Sequence, residues 1–450
     1  MDNRAVDKEI FALALPALGA LITEPLMRLA DSAMVGHLGT AQLAGLSIGV
    51  AFVGLITGTC IFLAYTTTAI TSRRLGAGQP AQALRGGIDG MWLAAILGIV
   101  LAIALYALSP TLAATLGARG QVLTHAVAYL RASSPGLIAM LIVLAGTGTL
   151  RGLLDTRTPL LVATSGSVAN VIFNAALIYG LGLGVTGAGL GTSLAQFGMA
   201  LAYITIVWRA ATTQGVPCGF AIHGVFASSL QGAPLVVRSV SLQLLGVLTV
   251  GAATALGPIT LAAHQVINST WSLAAFTLDA IAIAASALTG HRLGVGDVAV
   301  VRQILRRCLF WGVVTGMAIG VLLILASPLL PHIFTTDPHV VSAAKVGLIV
   351  AACAMPLAGI VFMWDGVLIG ANDSRYLAVA YVSILVCYAP LILGVRHFGH
   401  AWTAHFTNGA NQFVLNLLWV WLVYAIWAYV LRGLFLTLRG RGTQWMQNGA

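Results

Sequence analysis

The first long apolar segment of the chain contains residues 21–36, which read LITEPLMRLADSAMVG. Three charged residues interrupt it: Glu24, Arg28 and Asp31. Spacings of four and three residues place all three on one face of an α-helix, which repeats every ~3.6 residues. Each charge costs ~2.5–3.5 kcal/mol at the centre of a bilayer. This face is therefore expected to turn toward a polar cavity inside a bundle of membrane helices.

Ionisable residues within a membrane span are functional candidates by default. We therefore predict that the acid-bearing face of this first helix forms the functional site. The alternative is a structural Glu–Arg–Asp ladder that holds helices together.

The composition predicts an all-α polytopic membrane protein. Of the 450 residues, 59% are hydrophobic and 8% are charged, whereas a soluble protein has about 25% charged residues. Twelve apolar spans are long enough to cross a bilayer. They cover residues 10–36, 44–70, 87–109, 123–149, 159–181, 187–208, 228–254, 260–288, 306–331, 341–369, 376–396 and 404–431.

The basic residues predict the topology. With the N-terminus in the cytoplasm, three basic residues (Arg119, Lys345 and Arg396) fall on the opposite side. Sixteen fall on the cytoplasmic side, an excess that places both termini there. These are Arg4, Lys8, Arg73, Arg74, Arg85, Arg151, Arg157, Arg209, Arg292, Arg302, Arg306, Arg307, Arg375, Arg432, Arg439 and Arg441. The net charge of +10 is thus a topology signal, and we expect no nucleic-acid partner.

The start of the chain lacks the short apolar region and small-residue cleavage site of a signal peptide, so the first span is expected to be retained. The five cysteines are scattered and include no Cys-x-x-Cys. No disulfide framework or zinc site is indicated.

The second half of the chain repeats the first at a constant offset. Residues 75–79 (LGAGQ) recur at 293–297 (LGVGD), and residues 152–157 (GLLDTR) recur at 370–375 (GANDSR). Pro16 likewise matches Pro234, and the differences 293 − 75, 370 − 152 and 234 − 16 all equal 218. The repeat predicts two six-helix lobes of the same orientation, an arrangement typical of secondary transporters. We expect an N-terminal lobe (1–209), a cytoplasmic linker (210–227), a C-terminal lobe (228–435) and a cytoplasmic tail (436–450).

Further polar residues interrupt other spans. Asn170 and Asn174 lie one turn apart in the fifth span, as do Thr192 and Gln196 in the sixth. These side chains can bind an acid or a cation, or can simply join helices by hydrogen bonds. Pro16 predicts a kink, which is either a moving hinge or static. Gln196 is a secondary substrate or coupling candidate, and the C-terminal half contributes three more: Gln265, Asp279 and Asp365.

The repeat also indicates an asymmetry. Thr249 occupies the position equivalent to Asp31, so the acid has no counterpart in the second half. Two loop pairs, Asp155 with Arg157 and Asp373 with Arg375, are expected to cap helices or, alternatively, to form a gate.

Three motifs resemble the multidrug and toxic compound extrusion (MATE) family, in the branch of DNA-damage-inducible protein F. They are residues 29–39 (LADSAMVGHLG), 186–192 (TGAGLGT) and 365–373 (DGVLIGAND). The resemblance covers essentially the whole chain. It implies a multidrug efflux antiporter that exchanges H⁺ or Na⁺ for small organic, often cationic or amphipathic, compounds by alternating access of two lobes.

The resemblance also implies where the cation site lies. Carried over by position, it consists of Asp31, Asn170, Asn174 and Thr192, with Pro16 as the bending point. One departure matters, because relatives often have an acid where this chain has Asn174. Glu24 is the candidate to supply the second negative charge, with Arg28 as a tuning partner.

Other expectations follow from this interpretation. The chain is expected to be a transporter and not an enzyme. It should need no cofactor beyond the coupling ion and should bind no metal other than Na⁺ at Asp31. We expect it to act as a monomer in a bacterial-type plasma membrane, surrounded by lipid. A flippase for lipid-linked precursors is the first alternative, although no cluster of cavity Arg or Lys suits a pyrophosphate. A membrane-embedded prenyltransferase is the second, although its paired acids for Mg²⁺ are missing.

Overall fold

The computed structural model describes residues 2–406 and 411–446, and within these ranges it contains helices and no strands. Twelve helical segments are long and apolar enough to cross a membrane. The predicted all-α architecture and the predicted number of spans are confirmed. Residues 407–410 of the twelfth predicted span and residues 447–450 of the predicted tail lie outside the described ranges.

The first half of the chain forms seven α-helices, with a π-helical turn at Ala176–Gly180 between the last two. They are α1 (Asn3–Gly36), α2 (Thr40–Cys60), α3 (Phe62–Gly76), α4 (Pro80–Thr115), α5 (Gly120–Gly152), α6 (Arg157–Ala175) and α7 (Gly184–Thr213).

The second half forms eight more, with a π-helical segment at Leu422–Ala428 between the last two. They are α8 (Ile222–Ala255), α9 (Pro258–Val295), α10 (Val298–Ala326), α11 (Leu330–Phe334), α12 (Pro338–Gly370), α13 (Ser374–Phe406), α14 (Gln412–Trp421) and α15 (Tyr429–Arg441).

The helices extend beyond the predicted apolar spans at many ends. Two ends differ by ten residues: α13 continues to Phe406 although its predicted span ends at residue 396, and α15 continues to Arg441 although its predicted span ends at residue 431. The predicted start of the twelfth span, residue 404, therefore lies in the eleventh. Apolar length marks the part of a helix that lies in hydrocarbon, whereas the backbone hydrogen-bond ladder continues through polar residues outside it.

The internal repeat is also present in the backbone. Positive φ values occur at Gly39 and Gly257, at Gly78 and Gly296, and at Leu154 and Asn372. Each pair has the offset found in the sequence, since 257 − 39, 296 − 78 and 372 − 154 all equal 218. The same turns therefore connect the helices of both halves, which confirms the repeat inferred from the sequence.

The third of these pairs gives a stability prediction. Leu154 has φ 63° and its equivalent Asn372 has φ 57°. The left-handed conformation costs a branched side chain roughly 1–2 kcal/mol, whereas Asn tolerates it. We expect Leu154→Asn to raise the free energy of unfolding by about 1 kcal/mol and Asn372→Leu to lower it by a similar amount. Thermal unfolding of the purified variants measures both, and shifts of equal sign would contradict the prediction.

The described residues group into two compact units. The first consists of residues up to Phe11, Val237–Thr289 and the residues from Val298 onward. The second consists mainly of Ala12–Val236 and Gly290–Asp297. Helices α7 and α8 are separated by residues 214–221, which lie inside the predicted linker. The predicted lobe boundaries remain a prediction.

The first turns of α1 belong to the first unit because α10 binds them. Arg307 forms an ion pair with Asp7, with Nη2 2.5 Å from Oδ2. Trp311 Nε1 also donates to Asp7 Oδ1 over 2.9 Å, and the Phe11 ring packs edge-on against Trp311. These contacts anchor the start of a helix whose remainder belongs to the second unit.

Small residues allow close helix packing within each unit. A Cβ on Gly98 of α4 would lie 2.7 Å from Cα of Ile138 in α5, and a Cβ on Gly359 of α12 would overlap the carbonyl oxygen of Gly312 in α10. Membrane helices rely on such packing because lipid is as apolar as their side chains.

Candidate functional site

The second unit holds a buried acid. Asp31 is only 4% exposed, and its Oδ1 accepts a hydrogen bond of 2.6 Å from Nδ2 of Asn174. The two residues lie on α1 and α6, 143 positions apart in the chain. A hydrogen bond to a charged group contributes about 1.5–3 kcal/mol, so this contact fixes the orientation of the carboxylate.

A chain of amide and hydroxyl groups continues from this contact. Asn174 Nδ2 also donates to Asn170 Oδ1 over 3.3 Å. Asn170 Nδ2 donates to Thr192 Oγ1 over 3.1 Å, and Thr192 donates to the carbonyl oxygen of Ala188. The structure thus brings together Asp31, Asn170, Asn174 and Thr192.

Tyr129 of α5 joins this group, and the sequence reasoning missed it. Its side chain is 3% exposed and hydrogen-bonds to Thr192, within electrostatic range of Asp31. No helical spacing links Tyr129 to α1, α6 or α7, so the sequence carried no signal for it.

Two buried oxygens, one in this network and one a helical turn along α7 from it, have no hydrogen-bond partner among the described residues. They are Oδ1 of Asn174 and Oε1 of Gln196, which lies one turn beyond Thr192. The Asn174 oxygen lies directly against Gly191, where a Cβ would overlap it. A buried acceptor without a partner is costly. These oxygens are therefore suited to a proton donor or a small cation.

The donor set limits the ion that can bind. Asp31 is the acid of this network, and its neighbours supply neutral oxygens. In the part of the chain that the structure describes, no group of three or more His, Cys, Asp or Glu residues could hold a metal ion. One carboxylate with neutral oxygens suits a single positive charge better than a divalent ion.

Glu24 and Arg28 lie outside this buried network. They form an ion pair of 2.5 Å, with side chains 49% and 39% exposed, respectively. Arg28 Nη1 lies 3.4 Å from the position of a Cβ on Gly54 of α2. The trio shares a helix face as predicted, but seven residues separate Glu24 from Asp31 by roughly 10 Å along the axis, so they meet different neighbours. The tuning roles of Glu24 and Arg28 remain predictions.

Pro16 and Pro25 lie inside α1, which continues through both as a helix. Pro16 is half-buried. Its role as a hinge remains a prediction.

The first unit contains a second buried polar cluster, centred on Asp365. Arg238 Nη2 lies 2.5 Å from Asp365 Oδ2, and Tyr381 donates its hydroxyl to the same oxygen over 2.6 Å. Arg432 approaches this oxygen to 3.5 Å and donates to the Tyr381 hydroxyl over 3.0 Å. All four residues are at most 6% exposed.

This cluster corrects one charge assignment. The topology argument places Arg432 among the basic residues at the membrane surface, but it lies within α15, which continues to Arg441. Its guanidinium is buried over the Tyr429 ring, 4.6 Å from the centroid. The predicted apolar span ends at residue 431 because Arg432 is charged. The acid that Arg432 approaches, Asp365, lies 67 positions away in the chain, so the sequence did not show that this charge is paired inside the protein.

The remaining candidates in the C-terminal half are placed less distinctively. Asp279 is half-buried on α9, and Gln265 is exposed on the same helix.

The two equivalent loop acids have different partners. Asp155 caps α6 as expected, since its Oδ1 accepts the N–H groups of Arg157 and Thr158. Asp373 instead pairs with Arg439 of α15, with Nε 2.7 Å from Oδ2.

The repeat partner of the acid is a hydroxyl pair. Thr249, equivalent to Asp31, hydrogen-bonds over 2.6 Å to the hydroxyl of Tyr388, and Tyr388 is equivalent to Asn170 (170 + 218 = 388). The first and fifth spans of each half are thus joined by a side-chain hydrogen bond. The two bonds are not equivalent, because Asp31 bonds to Asn174 and not to Asn170, and only the bond in the first half involves an acid.

Comparisons with known proteins agree with this architecture. The sequence profile of the MatE family matches residues 16–176 and 234–394, two stretches related by the same offset (234 − 16 = 218). Protein DETOXIFICATION 44, chloroplastic, of Arabidopsis thaliana is 28% identical over 91% of this chain and 81% of its own length. DNA damage-inducible protein F of Escherichia coli is 27% identical over 81% of each. A crystal structure of a mutant of the MATE transporter VcmN of Vibrio cholerae has a TM-score of 0.85 at 20% identity, covering 99% of both chains.

Proposed function

The chain belongs to the MatE family, and on that premise we propose that it is a secondary active efflux antiporter that exports small organic compounds in exchange for inward H⁺ or Na⁺. It is a multi-pass membrane protein and a transporter, not an enzyme. The observation that carries the coupling proposal is Asp31, a buried carboxylate in a membrane span that is bound by neutral amides. The resemblance of the motifs supports small organic, cationic or amphipathic substrates.

Proton coupling would use the amide of Asn174. An ionised Asp31 accepts from Nδ2 of Asn174, as the structure has it. Once protonated, Asp31 becomes a donor, and rotation of the amide offers it Oδ1, the acceptor that now lacks a partner among the described residues. A change of protonation thus becomes a rearrangement of the contact between α1 and α6.

Sodium coupling would use the same atoms as ligands. Asp31, Asn170, Asn174 and Thr192 all present oxygens, the ligand type that hard cations prefer. Either ion removes the negative charge of Asp31. We propose that loading from outside changes the pose of α1 near Pro16 and releases the exported compound, and that unloading inside resets the cycle.

The positive-inside distribution supports a cytoplasmic location for both termini. We propose that the membrane is a plasma membrane of bacterial type. We further propose that the monomer is the transporting unit, because one lobe contains the complete Asp31 network.

Neither alternative gains an observation in its favour. A flippase would need Arg side chains to bind a pyrophosphate, but Arg28 pairs with Glu24 and Arg238 pairs with Asp365. Arg131 donates to Ser109 and lies over the Tyr106 ring. Family membership as a transporter argues against the prenyltransferase.

The proposal is tested with purified protein in proteoliposomes. We expect efflux of a fluorescent amphipathic cation when either an H⁺ or a Na⁺ gradient is imposed, and the effective gradient identifies the coupling ion. Export under neither gradient, or equally without one, would contradict the antiport mechanism.

A variant series locates the ion in the structure. The donor that stabilises ionised Asp31 is lost in Asn174→Leu, so proton binding should become roughly 10- to 100-fold tighter, since hydrogen bonds to charges are worth about 1.5–3 kcal/mol. Na⁺ binding should instead weaken, because the amide oxygen that would bind the ion is also lost. Asn170→Leu should have a smaller effect, because Asn170 acts through Asn174. The ion concentration giving half-maximal efflux measures both, and the reverse order would place the ion elsewhere.

A further inference from the structure

A groove of about 660 Å³ opens on the second unit, beside the connection between α7 and α8. Its walls come from α4, α5, α7 and the connecting residues 216–219. The lining is almost entirely apolar and includes two tryptophans. Its main side chains are Ile88, Met91, Trp92, Ile142, Ile204 and Trp208.

The groove is continuous with an exposed apolar face of α4. Trp92 is 39% exposed, and Ile96, Ile99 and Ile103 follow it at helical spacing with 39%, 47% and 65% exposure. Spacings of four, three and four residues put them in one stripe. In a membrane helix such a stripe faces lipid, so the groove opens toward the bilayer.

The connection closes one end of the groove. Arg85 donates to the carbonyl oxygens of Pro217 and Gly219 over 2.5 and 3.0 Å, and Trp92 Nε1 donates to that of Cys218 over 3.2 Å. Trp92 thus both lines the groove and holds the connection by a hydrogen bond. An occupant packed against Trp92 would therefore hold the connection in place.

Positive charge is found at this closed end. Arg85 lies there but also pairs with Asp89 over 2.6 Å. Arg209 directly follows Trp208 of the lining and is exposed. Arg209 lies within one helical turn of two lining residues of α7, Trp208 and Thr212. An apolar groove open to lipid, with an exposed arginine on the helical turn that borders it, is complementary to an anionic amphiphile.

We propose that this groove binds an anionic phospholipid, with an acyl chain along Trp92, Ile142 and Trp208 and the phosphate beside Arg209. The acyl chain gains little free energy by moving from the bilayer into the groove, because both environments are apolar. The headgroup therefore sets the preference, as in other basic sites at a membrane surface. This inference does not depend on the proposed efflux activity.

Native mass spectrometry of the full-length protein with added phosphatidylglycerol or phosphatidylcholine tests the proposal. We expect tighter binding of phosphatidylglycerol, weakened about fivefold by Arg209→Gln, which corresponds to one basic contact. Arg157→Gln, which removes an exposed arginine away from the groove, should bind normally. Ala95→Trp fills the groove and should abolish the preference, whereas Ile103→Trp on the same stripe should not. Equal binding of both lipids, unchanged by Ala95→Trp, would overturn the proposal.

Cys218 provides a measurement that needs no change in the groove wall. It lines the groove and is half-buried. In a Cys353→Ser/Cys387→Ser background, which removes the two exposed cysteines, phosphatidylglycerol nanodiscs should slow maleimide labelling of Cys218 relative to phosphatidylcholine nanodiscs. Labelling that is the same in both lipids, or slowed only by an added amphipathic dye, would show that the occupant is not an anionic lipid.

Discussion

Asp31→Asn is expected to reduce gradient-driven efflux to the level of empty proteoliposomes while the protein still inserts and folds. Asn is nearly isosteric and can still hydrogen-bond to Asn174, so the packing of α1 against α6 is kept. What disappears is the titratable charge at a site that is 4% exposed. Without it, neither a proton nor Na⁺ has an anionic partner there, and the export step loses its driving ion.

The matched control is another Asp-to-Asn change. Asp337 caps α12 by accepting the N–H of His339 over 2.9 Å, and Asn caps helices about equally well. Asp337→Asn should therefore transport normally. Glu24→Gln distinguishes Glu24 from Asp31: efflux that survives it but not Asp31→Asn assigns the coupling charge to Asp31. If Asp31→Asn exports normally, the coupling role of Asp31 is wrong.

Asp365→Leu is expected to have the largest effect on stability. It leaves Arg238 and Arg432 buried without the carboxylate that both approach. Removing one partner from a buried ion pair costs about 3–5 kcal/mol, because an uncompensated charge stays in an apolar environment. The purified variant should unfold at a much lower temperature, and little of it should be recovered from membranes.

A rescue variant distinguishes this explanation from a role in binding. Adding Arg238→Met and Arg432→Met to Asp365→Leu removes the stranded charges and should restore much of the stability, since apolar replacements of buried ionic groups are often neutral. Efflux by the rescued triple variant would exclude Asp365 from coupling and substrate attraction. A stable Asp365→Leu single variant that fails to export would instead support the functional role first assigned to Asp365.

Several features of the fold could be predicted because they are local or periodic. Apolar length identified the twelve spans, and the constant offset between matching motifs identified the two related halves, which the left-handed turns at Leu154 and Asn372 reproduce. Span ends were less accurate, as at α13, because hydropathy reports the hydrocarbon boundary and not the end of the hydrogen-bond ladder.

Some residues of the candidate site could likewise be predicted from the sequence, and others could not. Spacing along α1 grouped Glu24, Arg28 and Asp31, and the family resemblance singled out Asp31. Neither gave Tyr129, which reaches the group from α5, or Arg432, which reaches Asp365 from α15. Both contacts depend on how separate helices pack.

Hydropathy and the constant repeat offset were enough to predict a twelve-span membrane protein of two related halves, with Asp31 as an acid that has no counterpart in the second half. Tertiary packing was needed to show that Asp31 hydrogen-bonds to Asn174, 143 positions away in the chain, while Arg28 pairs with Glu24 on its own helix. Helical periodicity fixes which side chains share a face of one helix. Which of these side chains is buried, and which residues it contacts, depends on the helix that packs beside it at that level of the membrane.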